Sequence, residues 1–268
     1  MTNQNRRRAD ARISLSAIGF AALLLGGQSL PLFAADNPAT TTKAFGVTTP
    51  RKTEKSDSSK AVDAKPDSEK PKSIMLFNGK DFSGWTFDLA KPDVKIEDVW
   101  SVKDGVLHCK GQPNGYIITK RRDFKDYKLA FDWRWPTGKG GNSGLLLHCS
   151  TPRERGIWCK SIEVQLMSGN AGDLIVIGTE LNVEKEKDRK EDRRYINLTD
   201  DSEKKPGEWN RMVVVCRGNE IVVKINGDLV NRATNTSVVE GAIALQSEGT
   251  PIEFRNVKLT PLAKRKDK

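Results

Sequence analysis

Short runs of alternating apolar and polar residues, broken at intervals by Gly, Asn, Asp or Pro, constrain the fold of this chain most strongly. They continue from residue 74 to residue 262. A period of two is typical of strands that bury one face, and turn residues at a spacing of roughly 8–12 residues are typical of all-β domains. No stretch keeps helical periodicity over three turns. The sequence therefore predicts an all-β sandwich of two antiparallel sheets, of jelly-roll type.

Two dipeptides mark tight hairpins within this pattern. Asp104-Gly105 and Asn226-Gly227 each separate two strand-like runs. Both dipeptides favour the positive φ angles of a two-residue hairpin turn. Longer strands are predicted at residues 128–135, 143–149, 161–167 and 212–217.

The N-terminal residues 1–35 are typical of a secretory signal peptide. They combine an Arg-rich start, an apolar stretch at residues 15–25 and the small pair Ala34-Ala35. The apolar stretch is short for a transmembrane span, so we expect cleavage and no stable membrane insertion afterwards. An uncleaved membrane anchor is the alternative. The signal peptide predicts a secreted or periplasmic protein.

Between this signal and the strand pattern, the composition changes again. Residues 36–72 contain almost no large apolar side chain and are predicted to form a disordered linker. The folded domain is predicted at residues 73–262, and residues 263–268 form a short basic tail.

The formal net charge of +10 does not by itself indicate an anionic partner. Part of it belongs to the predicted signal peptide, and the charges at residues 184–194 alternate in sign, which is typical of a solvated loop. No stripe of Lys and Arg is interleaved with aromatic residues in the way that follows a nucleic-acid backbone. We therefore expect no nucleic-acid partner.

Four cysteines in a chain with a predicted export signal favour one or two disulfides. Cys149 and Cys159 flank a polar, turn-rich segment between two strand-like runs, so a bridge between these two is the first expectation. Three full pairings remain open, and four buried thiols are the alternative. The spacing is not typical of a zinc site.

Alternation also predicts which side chains share a face. Glu163 and Gln165 take the face opposite to their apolar neighbours, and Asn142 shares a face with His148. If these two strands pair as a hairpin through residues 149–159, a polar concave surface results. Glu163, Gln165 and His148 would lie on it, and such a surface in a sandwich suits a sugar ligand.

Six segments in order resemble one family. They are residues 76–85 (LFNGKDFSGW), 100–107 (WSVKDGVL), 141–144 (GNSG), 163–166 (EVQL), 207–210 (GEWN) and 252–257 (IEFRNV). Together they cover nearly the whole predicted domain. The chain resembles the domain-of-unknown-function 1080 family, described as 3-keto-disaccharide hydrolases or 3-keto-alpha-glucoside-1,2-lyases.

The resemblance implies a concanavalin A-like jelly roll that cleaves glycosides whose C3 hydroxyl has been oxidised to a ketone. The ketone acidifies the C2 proton, so elimination of the aglycone followed by hydration gives net hydrolysis. This chemistry needs a base, a group that stabilises the enolate and an acid for the leaving oxygen. No cofactor is certain, although a divalent cation such as calcium could stabilise the enolate. A sugar 3-dehydrogenase would have to supply the substrate.

Three residues are candidates for catalysis. Glu163 would act as base or metal ligand, or else form an ion pair across the sheet. His148 stands where the common family pattern has Arg, and would be a base or ligand, or else a half-buried residue at a strand end. Glu248 stands where that pattern has His. It would act as an acid or provide an oxygen ligand to a metal, or else be a charged loop residue that follows a strand. These departures resemble a subgroup of the family.

A second set of residues is predicted to bind substrate. Asn142 and Ser143 would place small polar groups under the sugar, and Trp135 is a candidate stacking platform. Arg255 would bond to Glu163 or to the substrate, with structural support as the alternative. The full set is Asn142, Ser143, Gln165, Gln246, Arg255 and Trp135.

The leading functional prediction is therefore an exported enzyme acting on 3-keto-glycosides. A non-catalytic carbohydrate-binding module of the same fold is the alternative. A retaining endoglucanase is disfavoured, because the positions two and five residues after Glu163 hold Gln165 and Ser168 rather than carboxylates.

Overall fold

The computed structural model describes residues 71–263. The predicted signal peptide, nearly all of the predicted linker and most of the basic tail lie outside the described residues. None of the helices within residues 71–263 is long and apolar enough to cross a membrane.

The described part of the chain contains seventeen strands, numbered in chain order, which form two sheets. The nine-stranded sheet contains β1 (Ile74–Met75), β3 (Trp100–Lys103), β4 (Val106–Cys109), β6 (Tyr127–Arg134), β10 (Asn182–Val183), β13 (Asn210–Arg217), β14 (Glu220–Ile225), β15 (Asp228–Thr234) and β17 (Ile252–Pro261). The eight-stranded sheet contains β2 (Trp85–Leu89), β5 (Gly115–Thr119), β7 (Gly144–Cys149), β8 (Ser161–Gln165), β9 (Leu174–Ile177), β11 (Lys190–Glu191), β12 (Arg194–Tyr195) and β16 (Ala242–Ser247). Two single-turn helices, α1 (Ile96–Val99) and α2 (Glu186–Arg189), complete the elements.

The strand order confirms the predicted two-sheet jelly-roll sandwich. The larger sheet runs β10-β15-β14-β13-β6-β17-β4-β3, with β1 paired to β17, and the smaller runs β11-β12-β9-β8-β7-β16-β5-β2. Neighbouring strands pair antiparallel, as in β7 with β8 and β16 with β7. Strands distant in sequence are therefore neighbours in the sheet, and β16 brings the chain's C-terminal third beside β7.

The core lies between the two sheets and follows the predicted alternation. On β13, Met212 and Val214 are buried while Val213 between them is partly exposed. On β8, Ile162 and Val164 join the core, so Glu163 between them points away from it. Each large aliphatic side chain buried in this way stabilises the fold by about 1.5–3 kcal/mol.

Both predicted hairpin turns form. β3 pairs with β4 across Asp104-Gly105, and β14 pairs with β15 across Asn226-Gly227. All four turn residues have positive φ, from 51° at Asp104 to 106° at Gly227. Asn, Asp and Gly adopt this conformation at low cost, which explains why these dipeptides define the turns.

Candidate active site

A buried carboxyl group lies on the outward face of the eight-stranded sheet. Glu163 is central in this sheet, because β8 lies between β7 and β9. It pairs opposite Leu146, which belongs to an apolar cluster on this face that is separate from the core. Glu163 is only 4% exposed. A carboxylic acid in such a position is costly to ionise, which is typical of a functional group.

The Glu163 carboxyl and the Gln246 carboxamide meet above Gly144. A Cβ atom built on Gly144 would overlap Gln246 Oε1 and lie 2.8 Å from Glu163 Oε1. The register supports this arrangement, since Leu145 pairs with both Val164 and Leu245. The missing side chain of Gly144 is therefore what allows the two polar groups to come together.

Several polar atoms around this point lack a hydrogen-bond partner within residues 71–263. They are Gln246 Nε2, Gln246 Oε1, Asn142 Oδ1 and Arg193 Nη1. Buried polar groups are nearly always hydrogen-bonded, so a cluster of unsatisfied ones indicates a place where a polar ligand or water completes the bonding.

The electrostatics of the site bring the pKa of one carboxyl group, that of Glu163, close to neutral pH. Burial raises the pKa of Glu163 to about 8, and the charge of Glu248 acts in the same direction. Arg193 and the Gln246 amide oppose this shift. Burial also raises the pKa of Glu248, again against Arg193. A carboxyl group that titrates near neutral pH can both accept and return a proton during a reaction.

Arg193 is a site residue that the sequence analysis missed. It lies in the run of alternating charges that we interpreted as a solvated loop, within the two-residue turn between β11 and β12. Val176 donates its N–H to the Arg193 carbonyl at 2.9 Å, which holds the turn against β9. The Arg193 guanidinium is then close enough to lower the pKa of both site carboxyls. No local sequence signal distinguishes Arg193 from its charged neighbours.

His148 does not share a face with Glu163, so that prediction was wrong. His148 has a φ of 56°, and the pairing of β7 with β16 shifts register between Ala242 and Ala244. The irregularity turns the imidazole into the core, where it packs edge-to-face against Tyr127 of the other sheet at 5.8 Å. Burial lowers the pKa of His148 to about 4, against the opposing effects of the Val238 backbone and of the charges of Glu240 and Asp126. This neutral, fully buried ring supports packing rather than chemistry at Glu163.

Arg255 is also placed away from the site. It lies on β17 of the nine-stranded sheet, so the predicted bond to Glu163 is wrong. Its Nε donates to Asp132 Oδ2 at 3.2 Å, and its guanidinium stacks 4.0 Å from the Trp209 ring. The alternative of structural support fits this ion pair.

Trp135 is a core residue and not a stacking platform. It is 1% exposed and belongs to the cluster between the sheets. The tryptophan therefore presents no ring face to a sugar. Its position shows that an aromatic residue at a strand end can complete the core instead of lining a groove.

The remaining predicted ligand-binding residues surround Gly144 in different roles. Ser143 is fully buried and its Oγ donates to the Gln246 carbonyl at 2.9 Å, so it positions β16. Gln165 Oε1 accepts the backbone N–H groups of Leu166 and Met167, each at 2.9 Å, which fixes the end of β8. Asn142 and Gln246 keep unsatisfied polar atoms for a ligand.

Cys149 and Cys159 are joined by a disulfide at the ends of the β7–β8 connection. Cys109 and Cys216 are buried and unbridged among the described residues.

Within residues 71–263, no group of three or more His, Cys, Asp and Glu side chains is arranged to hold a metal ion.

Comparison with known proteins identifies relatives of this domain. A family model described as the 3-keto-alpha-glucoside-1,2-lyase-like domain matches residues 72–260. Two crystal structures from Parabacteroides distasonis ATCC 8503, provisionally described as glycosyl hydrolases, have TM-scores of 0.52 and 0.53. Each is 24% identical, and the match covers 71% of this chain and 100% or 94% of theirs. At this identity the two structures show a shared fold. Among curated proteins, none matches the sequence.

Proposed function

We propose, since the chain belongs to the 3-keto-alpha-glucoside-1,2-lyase-like domain family, that it cleaves 3-keto-glycosides by elimination followed by hydration. The observation that carries this proposal is Glu163. It is a single buried carboxyl with a pKa of about 8, placed among unsatisfied polar groups on the outward face of the sheet. Proton abstraction beside a ketone needs one base of this kind and no second carboxylate nucleophile.

In the first step, ionised Glu163 takes the proton from C2 of the keto sugar. The C–H electron pair forms the C2–C3 double bond, and the ketone oxygen becomes an enolate. A base with a pKa near the working pH is well suited to this transfer, because an appreciable fraction is ionised and the proton is still bound firmly.

Arg193 and Gln246 are suited to stabilise the enolate. Arg193 Nη1 and Gln246 Nε2 are donors without partners in the described part of the chain. Donors that are already in place when charge develops lower the barrier more than donors that must reorganise. The guanidinium also compensates the negative charge that Glu163 has just given up to the substrate.

In the second step, the enolate electrons return to reform the ketone and a C1–C2 double bond, and the C1–O bond to the aglycone breaks. The leaving oxygen takes a proton from Glu248, the second carboxyl whose charge acts on Glu163 and which is therefore close to the reacting atoms. Water then adds to C1 of the enone and gives one of its protons to the Glu248 carboxylate, while Glu163 returns its proton to C2, so both carboxyls regain their starting states. The sum is hydrolysis of the glycoside.

The setting of the reaction is part of the proposal. We propose that the protein is exported, and the Cys149–Cys159 disulfide supports an oxidising compartment. The substrate must be formed by an enzyme that oxidises a sugar at C3, so a sugar 3-dehydrogenase is the proposed metabolic partner.

The test is release of a chromogenic aglycone from a 3-keto-glucoside, with the matching unoxidised glucoside beside it. We expect release from the keto substrate alone, and a loss of about 10²–10⁴-fold in Glu163→Gln. Glu253→Gln is the matched control, because Glu253 is a buried carboxylate in the other sheet that pairs with Arg134 and His108. A chelator arm measures any metal requirement directly.

The same experiment distinguishes the proposed enzyme from the alternative, a non-catalytic carbohydrate-binding module. No release from either glycoside, together with saturable binding of oligosaccharides, would contradict the enzyme and support the module. Release from the unoxidised glucoside at an equal rate would contradict the keto-dependent mechanism.

A further inference from the structure

A cleft lies on the outward face of the nine-stranded sheet, which is the face of the sandwich opposite to the one that carries Glu163. It encloses about 470 Å³. It is lined by Lys204, Arg211, Val213, Lys224, Asn226 and Gly227. Three of these six residues are cations and none is an acid, so the cleft is a concentration of positive charge.

The strand register places the cations of the cleft on one face. Val213 of β13 pairs opposite Lys224 of β14, and its neighbours Met212 and Val214 are core residues. Val213 and Lys224 therefore both point outward, because residues directly opposite in antiparallel strands share a face. Arg211, two residues before Val213, takes the same face. Tertiary structure thus gathers charges that are separated along the chain.

The two lysines of the cleft are free to bind a ligand. Both Lys204 and Lys224 are exposed. The lysines that form salt bridges within residues 71–263 are Lys125 and Lys190, so the two in the cleft are unpaired there. A cation whose field is not already compensated attracts an anion more strongly than a paired one.

The arginine of the cleft is fixed by a buried carboxylate. Asp132 is 8% exposed. Its Oδ1 accepts from Arg211 Nη1 at 2.7 Å, and its Oδ2 accepts from Arg255 Nε at 3.2 Å and from Asn256 Nδ2 at 2.7 Å. One negative charge is therefore shared between two guanidinium groups. This leaves an excess of positive charge on an arginine whose orientation is already set.

The backbone around the cleft is also ordered before any ligand binds. The Arg211 N–H donates to Asn226 Oδ1 at 2.8 Å, and the Lys204 N–H donates to Asn210 Oδ1 at 2.8 Å. Asn226 Nδ2 donates to the same Asn210 oxygen at 2.8 Å, which joins the two walls. A wall that is already ordered loses little entropy on binding, so its contacts count more fully towards affinity.

Positive charge continues across the sheet beyond the cleft. Val213 pairs opposite Ala130 of β6, and Ala130 pairs opposite Lys258 of β17. Lys224 and Lys258 thus end a row with two small apolar side chains between them. Neighbouring strands are about 4.8 Å apart, which places these two lysines about 14 Å from each other. A ligand that follows this row needs several negative charges with apolar surface between them.

An acidic polysaccharide meets this requirement. It carries carboxylate or sulfate groups, which lysine and arginine bind through charge-assisted hydrogen bonds, and its sugar rings present C–H surface between them. A peptide that binds as an added strand needs a free sheet edge, whereas β13 and β14 are each paired on both sides. A flat sheet face has no helix or ribbon to enter a DNA groove. The Arg255 guanidinium lies 4.0 Å from the Trp209 ring and occupies a face on which a base could stack.

We propose that this cleft is a second, non-catalytic site that binds an acidic polysaccharide, with Lys204, Arg211 and Lys224 bonding to its carboxylate or sulfate groups. The site would hold the protein on a polyanionic glycan while the face that carries Glu163 stays open to substrate. The inference does not depend on the proposed reaction, because the two sites lie on different sheets.

The first test measures binding of the full chain to alginate and to dextran sulfate by calorimetry, with uncharged dextran beside them. We expect saturable binding to at least one of the two polyanions, weakening as salt rises, and none to dextran. Lys204→Gln combined with Lys224→Gln should weaken this binding about tenfold. The control pair is Lys91→Gln with Lys120→Gln, two exposed lysines that follow β2 and β5 of the other sheet. It should change affinity by no more than about twofold.

A second variant keeps every cation. Val213→Glu places a carboxylate between Arg211 and Lys224, and the partly exposed position leaves the core intact. We expect it to weaken binding at least as much as the double lysine variant, with thermal unfolding as the check on folding. No binding to either polyanion, or equal losses in the cleft and control pairs, would overturn the inference, because charge anywhere on the chain would then suffice.

Polyglutamate and duplex DNA test the class of partner. At equal salt and equal concentration of charge, we expect the preferred polysaccharide to bind about tenfold more tightly than either. Equal or tighter binding of polyglutamate or of DNA would overturn the polysaccharide in favour of that partner. These measurements need no turnover, so failure of the proposed keto-glycoside cleavage would leave their outcome unchanged.

Discussion

The carboxyl of Glu163 and the carboxamide of Gln246 occupy the space above Gly144 that a methyl group would fill. Glu163 comes from β8 and Gln246 from β16, 83 residues further along the chain, and β7 lies between these two strands. The missing side chain of Gly144 on β7 is therefore as necessary to the site as the two polar groups.

Gly144→Ala should displace both side chains. We expect a loss of activity of about a hundredfold and a destabilisation of about 1–3 kcal/mol, because the added methyl group overpacks a buried position. Kinetics and chemical denaturation measure the two effects. Adding Gln246→Ala should restore stability but not activity, since it removes the overlap together with a proposed enolate donor. Additive destabilisation in the double variant would show that the overlap is relieved elsewhere.

The raised pKa of Glu163 makes the stability of the protein depend on pH. The folded-state pKa of about 8 lies above the ordinary value of 4.5 for a glutamate, so the folded protein binds more protons than the unfolded chain between these values. The stabilisation from protonated Glu163 is full below about pH 4.5 and is lost as the pH rises through about 8, by a few kcal/mol. Glu163→Gln should flatten this decline in urea unfolding measured from pH 5 to pH 9. An unchanged slope would contradict the raised pKa.

Removing the guanidinium with Arg193→Gln should lower kcat by about 10²–10³-fold, as expected for the loss of a donor to developing negative charge. It should also raise the pKa of Glu163, because Arg193 lowers it in the folded protein. The ascending limb of the pH–rate profile, on which the rate increases as the base ionises, then moves to higher pH. Lys190→Gln, an exposed change in the same hairpin, is the control. A fall in rate without a shift in the profile would assign Arg193 a structural role.

His148 should affect stability and leave the chemistry unchanged. Burial lowers the pKa of its imidazole to about 4 from an ordinary 6.5, so the unfolded chain binds more protons between these values. The stabilisation is full above about pH 6.5 and is lost as the pH falls through about 4. His148→Phe should remove this acid sensitivity in thermal unfolding scans and retain kcat/KM within a few-fold. A large loss of activity in a well-folded variant would instead show that His148 takes part in the chemistry of the site.

Local patterning predicted much of the fold and the centre of the site. Strict alternation in residues 161–166 gave Glu163 a face opposite to Ile162 and Val164, and the structure has that arrangement. Hairpin turns formed at Asp104-Gly105 and Asn226-Gly227, where the conformational preferences of these residues predict them. These features are local, because they depend on steric preferences of one residue and on the two-residue period of an extended chain.

Other parts of the site were decided only by tertiary structure. A register shift beside β16 reversed the face of His148, since one displaced residue exchanges the two sides of a strand. Arg255 paired with Asp132 because β17 joined the other sheet, and alternation along one strand does not specify its sheet. Arg193 reached the carboxyls because a turn packed against β9.

The sequence by itself determined that short strands alternate, where two hairpins turn, and that Glu163 faces away from the core. The tertiary structure decided which strands became neighbours, and through them which groups surround Glu163. The physical reason is that strand alternation is set within a few residues of chain. Strand order, register and burial depend on packing between segments as far apart as Ile74 and Leu259, which pair across the sheet.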